Sequence, residues 1–178
     1  MRPFGLDKPE MEPTFVRRVG EYAVRVCGID DVQKVITINL STLPEHYSDY
    51  FFEELLHETP ETFLVAEKDG FVLGYIMCRI ELGMLNLRRF SLGRKGHIVS
   101  VAIMEPHRKN GLGTALIEEA LKGMVRKGCS ETFLEVRESN RPAITLYERL
   151  GFSITSRIES YYRDGETAFV MAKPIVKS

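Results

Sequence analysis

The feature that most constrains this chain is an apolar strand that runs straight into a glycine-rich turn and then into a long helix. The strand spans His97 to Met104, the turn reads Pro106-His107-Arg108-Lys109-Asn110-Gly111-Leu112-Gly113-Thr114, and the helical pattern continues to about Lys127. Two glycines let the backbone approach an anion closely, and a helix N-terminus offers unpaired N–H groups and a partial positive charge. Arg108 and Lys109 add formal charge. The segment is built like a pyrophosphate cradle, although a bare G-x-G reads equally well as a strand-to-helix turn with solvated basic residues. A Walker loop would require Lys-Ser or Lys-Thr after the glycines, and neither follows. A dinucleotide fingerprint would require a small residue where Leu116 stands, so both familiar phosphate motifs fail.

Periodicity lays out the rest of the chain. Tyr22-Ala23-Val24-Arg25-Val26 suits a first strand, and Asp30 and Asp31 open a helix through Val32, Val35, Ile36 and Leu40 that Pro44 ends. A second helix is expected from about Ser48 to His57, with Phe51, Phe52, Leu55 and Leu56 on one face. Strands Thr62 to Lys68 and Phe71 to Glu81 flank Asp69-Gly70, a dipeptide suited to a hairpin turn with positive φ at both residues. Gly83 to Arg94 has no clear period and reads as a loop. After the long helix come a strand at Thr132 to Val136, a helix at Arg141 to Leu150, and a hairpin with Asp164-Gly165 at its tip. The order β-α-α-β-β-β-α-β-α-β-β implies an α/β domain with a mixed sheet of about seven strands. Residues 1–20, with Pro3, Pro9 and Pro13 among scattered charges, read as an extended arm, and 21–178 as a single domain.

Charge and composition narrow the partners. Lys+Arg 24 against Asp+Glu 25 gives no basic field for nucleic acid. No apolar run approaches the roughly 20 residues of a membrane helix, and Met1-Arg2-Pro3 opens no secretory leader. Cys27, Cys78 and Cys129 are odd in number and far apart. That argues against a disulfide framework or thiolate metal site and suits a reducing, cytoplasmic setting.

Two linked motifs carry a family resemblance. Arg108 to Gly113 resembles the R/Q-x-x-G-x-G/A acetyl-CoA loop of the GNAT superfamily of N-acetyltransferases. Asn140-Arg141-Pro142-Ala143-Ile144-Thr145-Leu146-Tyr147-Glu148-Arg149-Leu150-Gly151-Phe152 resembles its second signature, N-x-x-A-x-x-L-Y-x-x-x-G-F. Within the superfamily, Leu43 to Tyr47, Arg94 to Ala102, Leu134 to Asn140 and Tyr161 to Glu166 resemble the archaeal Ard1-type catalytic subunit of N-terminal protein acetyltransferases. Relatives usually carry Asn where His46 stands.

The resemblance implies a GNAT fold, acetyl-CoA as co-substrate and protein N-termini as acceptors, with ribosome association left open and no membrane partner. It implies that His97 and Glu135, on strands that lie side by side and then splay, hold a water that deprotonates the amine. A protein α-amine has a pKa of about 7.7–8.0, so mild base assistance suffices. By the same resemblance Tyr147 protonates the departing thiolate, and backbone groups of Val101, Ala102 and Ile103 pair with the pantetheine arm and supply an oxyanion donor. Arg108, Lys109, Asn110, Gly111, Leu112, Gly113, Thr114, Asn140 and Tyr147 are expected to hold the cofactor. Glu45, Tyr47, Tyr161 and Tyr162 are expected to wall the peptide entrance, with Glu45 meeting the ammonium or the first side chain. His57 and His107 are assigned no work. No metal is required, because His97 and Glu135 give two ligands where zinc sites use three or four, leaving only opportunistic zinc. The alternatives are a GNAT enzyme directed at one ribosomal protein, a lysine or a small amine, and a non-catalytic CoA-binding module.

Overall fold

The computed structural model describes residues 14–88 and 90–175. Eight strands form one sheet: β1 (Phe15–Val19), β2 (Tyr22–Val26), β3 (Leu64–Lys68), β4 (Phe71–Met84), β5 (Leu92–Ile103), β6 (Glu131–Arg137), β7 (Ser153–Ile158) and β8 (Ala168–Pro174). The helices are α1 (Val32–Thr42), α2 (Asp49–Glu58), α3 (Leu112–Arg126) and α4 (Arg141–Arg149). The sheet order is β1-β2-β3-β4-β5-β6-β8-β7, and every neighbouring pair is antiparallel except β5 and β6.

Local chemistry accounts for the element boundaries. Asp69 and Gly70 both adopt positive φ, 52° and 80°, as a two-residue turn with right-handed strand twist requires. The Ser48 side chain accepts from Phe51 N and caps α2. Asn140 Oδ1 accepts from Ala143 N at the start of α4. At its other end Gly151 takes φ 87°, and Phe152 N bonds back to Tyr147 O at 3.0 Å. The second signature is thus, physically, one short helix with both of its ends.

Two departures from the sequence expectation concern the margins of the sheet. The strand β1 lies in the stretch read as an extended arm, and its pairing with β2 makes the sheet eight-stranded rather than seven. Arg17 on β1 reaches Glu118 of α3 at 2.6 Å, a contact no local pattern reports. Residues 1–13 of the expected arm lie outside the described residues. The segment Gly83 to Arg94, read as a loop, is partly the end of a long β4–β5 hairpin, with Gly83 opposite Gly93 and Met84 opposite Leu92. Leu82, Met84 and Leu92 are exposed there, so alternation of burial has nothing to mark.

Two apolar cores sandwich the sheet. One face packs Val24, Ile76, Cys78 and Ile98 against Ala115, Leu116, Ala120 and Met124 of α3. The other packs Val65, Tyr75 and Met77 against Val35, Ile36, Phe52 and Leu55 of α1 and α2. A buried ion pair of Arg25 with Asp31 ties β2 to the entry of α1, and Glu67 adds a 2.8 Å contact to the same guanidinium. No described helix is long and apolar enough to cross a membrane.

Candidate active site

The parallel ladder between β5 and β6 is only three pairs long: Lys95 with Glu131, Gly96 with Thr132, and His97 with Phe133. Beyond His97 the strands part, and residues 98–103 of β5 have no strand partner on that side. Ser100 pairs with Met77 and Ile98 with Cys78 on the β4 side, so Val99 is an extra, bulged residue. The divergence opens a cavity of about 650 Å³ in the middle of the sheet. Its walls are Ile98 to Val101 of β5, Leu134 to Arg137 of β6, and Asn140, Ala143 and Tyr147 around α4. Leu43 to Tyr47 and Tyr161 to Asp164 form the mouth.

On the β6 wall, Glu135 Oε2 lies 2.6 Å from His97 Nε2, and the two side chains are 17% and 14% exposed. The His97 ring stacks on Phe133 with centroids 4.5 Å apart and planes 7° from parallel. His97 Nδ1 is buried without a hydrogen-bond partner among the described residues. Glu135 lines the cavity, whereas His97 sits behind it rather than on the wall. The fold brings the two side chains together, with the carboxylate as the member that faces the cavity.

Tyr147, on the buried face of α4, lines the same cavity. Burial pushes its hydroxyl up to about 12, so it stays protonated at neutral pH and is a proton donor there. Its ring lies 5.8 Å from that of Phe152.

The glycine-rich turn leads directly into α3. Gly111 is the N-cap of α3 in the left-handed region, φ 79°, and the first turn of α3 carries no acidic residue. A Cβ on Gly113 would meet only Leu146 Cδ2, at an ordinary 3.6 Å, so protein packing does not itself demand glycine there. Lys109 also takes a positive φ of 63°. Arg108 Nε donates to Ile103 O at 2.9 Å, and Asn110 Nδ2 donates to the carbonyls of His107 and Arg108, which shapes the turn from within. His107, assigned no work from sequence, holds Tyr22 Oη at 3.1 Å through Nδ1. Val101, Ala102 and Ile103 pair with β4 but have no partner on the β6 side, and the Ala102 side chain is buried toward α1 and α2.

At the mouth the structure supplies a residue the sequence reading missed. Arg137, at the end of β6, donates to Glu45 Oε1 at 2.6 Å, to Asp164 Oδ2 at 2.8 Å and to Glu166 Oε2 at 2.6 Å. Its guanidinium also lies 4.1 Å from the centroid of the Tyr162 ring. Burial works against its charge, but the bonds to Glu45, Glu166 and Asp164 outweigh that and hold it firmly cationic. Glu45, expected to meet the substrate ammonium or its first side chain, is here paired with Arg137. Tyr47 Oη donates to the carbonyl of bulged Val99 at 3.2 Å, and its ring stacks on Phe51. Asn39 Nδ2 holds the carbonyl of Glu45 and the hydroxyl of Tyr75, which in turn meets Ser100 Oγ at 2.6 Å. Tyr161 and Tyr162 sit edge to face in the β7–β8 connection and not at a strand end. Among the described residues no three His, Cys, Asp or Glu side chains cluster as metal ligands.

The model of the acetyltransferase (GNAT) family matches residues 32–152. The chain belongs to this family. An N-alpha-acetyltransferase of Sulfurisphaera tokodaii is 46% identical over 167 residues, covering 93% of this chain and all of that protein. Among solved structures, Ard1 from Thermoplasma volcanium superposes with a TM-score of 0.73 at 27% identity over 88% of this chain and 99% of that one. A chain of the NatC complex bound to Gag peptide and CoA gives 0.78 at 25% identity, with 88% and 99% covered. The match spans both signatures, 108–113 and 140–152.

Proposed function

We propose that this GNAT protein is an acetyl-CoA-dependent N-alpha-acetyltransferase acting on protein N-termini. The observation that carries the reading is one cavity, between parted strands, faced by the Glu135 carboxylate and the protonated Tyr147 hydroxyl and entered between two aromatic loops.

The residues present fit acetyl-CoA. Gly111 to Thr114 aim the first N–H groups of α3 at a pyrophosphate, with Arg108 and Lys109 alongside. The unpaired edge of β5 at Val101 to Ile103 offers main-chain partners to an extended arm, and Asn140 and Tyr147 flank it. Acetyl-CoA supplies the activated acetyl group. Glu135, backed by His97 Nε2, takes the proton of the incoming ammonium through a water, and stacking on Phe133 fixes the imidazole plane. An edge N–H of β5 stabilises the developing oxyanion, and Tyr147 Oη gives its proton to the leaving sulfur. Tyr47, Tyr161 and Tyr162 grip the peptide backbone, and Glu45, clamped by Arg137, shapes the pocket for the first side chain.

The long mouth favours peptides over small amines. The same reading puts the enzyme in the cytoplasm, where its buried thiols Cys27, Cys78 and Cys129 stay reduced and nascent chains on the ribosome meet it. The test is thiol release from acetyl-CoA with peptides starting Ser, Ala, Thr, Met-Leu and Met-Glu, and an N-blocked lysine peptide as control. Acetylation of the free N-termini alone is expected. Turnover on the blocked lysine peptide without α-amine product would overturn it.

A further inference from the structure

We propose that Arg163 gives the peptide groove a preference for an acidic side chain on one of the residues that follow the acetylated one. The proposal rests on the N-alpha-acetyltransferase reading above. Arg163 lines the mouth of the cavity with its neighbours Tyr161 and Tyr162, and the lining includes none of the glycine-rich turn. The charges around it are unequally satisfied. Glu45, Asp164 and Glu166 all bond to Arg137, Glu166 also accepts from Ser139 N, and Asp164 Oδ1 accepts from Glu166 N. Arg163, by contrast, pairs with no carboxylate and donates no hydrogen bond among the described residues. It is an exposed arginine on the lining of the cavity, with five N–H donors to offer.

The backbone that carries it is well defined. Gly165 N donates to Tyr162 O at 2.8 Å and Tyr162 N donates to Glu166 O at 3.1 Å, so Arg163 occupies a corner of a tight turn. That turn is anchored to β6 through Arg137. A cation held on a fixed corner loses less freedom on pairing than one on a loose loop, and a guanidinium suits a carboxylate bidentately. With the α-amine at Glu135, an extended peptide advances about 3.3 Å per residue toward the mouth, and its side chains alternate between opposite walls. Arg163 lies on one wall, so it senses either the third residue or the second and fourth, but not both sets. An exposed pair of this kind is worth about a two- to fivefold change in kcat/KM, and the surrounding carboxylates keep it near the lower end.

The test uses the full chain and Ser-starting peptides, neutral except at one position. Asp, Asn or Lys is placed in turn at positions two, three and four. An Asp-over-Asn ratio in kcat/KM of about two- to fivefold is expected at one parity of position, shrinking toward one in 1 M salt. In R163A the ratio falls to about one, in R163K it is retained, and in R163E Lys overtakes Asp. A flat ratio in the wild-type enzyme at all three positions, or a preference that survives in R163A, would overturn the proposal. So would a raised KM for acetyl-CoA in R163A with peptide selectivity unchanged, which would give the cation to the cofactor. Failure to acetylate any peptide α-amine would refute the underlying activity and this proposal with it, whereas acetylation with flat ratios refutes only the role of Arg163.

Discussion

Removing either member of the Glu135–His97 pair tests whether they act as one proton-accepting unit. A positioned general base is worth roughly 10²–10⁴ in rate, and the site argues for about 10². The cavity is open enough for solvent to compete as proton acceptor, and a protein α-amine is already about half neutral near pH 8. Glu135 faces the cavity and His97 stands behind it at 2.6 Å, so Glu135→Gln should lower kcat by about 10²-fold and His97→Ala by that amount or less. Gln still accepts a hydrogen bond from His97, which keeps the ring in its stack on Phe133. The double variant should be no slower than Glu135→Gln by more than about threefold, because groups acting as a unit lose their contribution once. The assay is kcat for a Ser-starting peptide between pH 6.5 and 10, followed by thiol release at saturating acetyl-CoA, with thermal melts to confirm that each variant folds. The deficit should shrink as pH rises past the amine pKa, where no base is needed. Additive losses, or a deficit independent of pH, would refute the shared-water assignment.

Tyr147→Phe should lower kcat with a defect that high pH does not rescue, since its task concerns the leaving sulfur; a pH profile matching that of Glu135→Gln would contradict this. Gly111→Asp strains a left-handed N-cap and sets a negative charge where α3 offers N–H groups, so calorimetry should show acetyl-CoA affinity falling at least tenfold in a folded variant. Glu45→Ala leaves Arg137 with Asp164 and Glu166, and should redistribute rates between Ser- and Met-starting peptides while acetyl-CoA affinity stays constant. Asp31→Asn leaves the buried Arg25 with Glu67 alone and should cost about 3 kcal/mol in chemical denaturation at pH 7. Burial raises the Asp31 carboxyl, but Arg25 and Gly28 N–H more than offset it and hold it below the usual range. Its contribution is therefore full above the unfolded pKa of about 3.9 and lost as pH falls through the folded value, so the two proteins should converge in stability at low pH.

What the sequence made legible was what local chemistry dictates. The Asp69-Gly70 turn and the helix starts near Ser48, at Arg141 and after the glycine-rich turn lie where the residues placed them, and the structure adds the caps Ser48, Asn140 and Gly111. The β1 strand escaped because its residues are mostly exposed and its partner on α3, Glu118, is 101 residues from Arg17. Arg137 escaped for a similar reason. A single arginine at a strand end has carboxylates on every side in sequence, and only the fold shows that it gathers Glu45, Asp164 and Glu166. His97 and Glu135 were legible as a pair through family resemblance, but which of them faces the cavity depends on how far the strands part, a property of the assembled sheet.

The three-rung ladder between β5 and β6 has a mechanical consequence. It divides the sheet into two plates, β1 to β5 and β6 to β7, riveted at one end and free at the other. On the proposed function, acetyl-CoA would lie along the β5 edge that β6 leaves unpaired and brace the plates against each other. Because that seat would exist only in the folded chain, a hundredfold excess of acetyl-CoA over its Kd is expected to add about 2.7 kcal/mol to global stability.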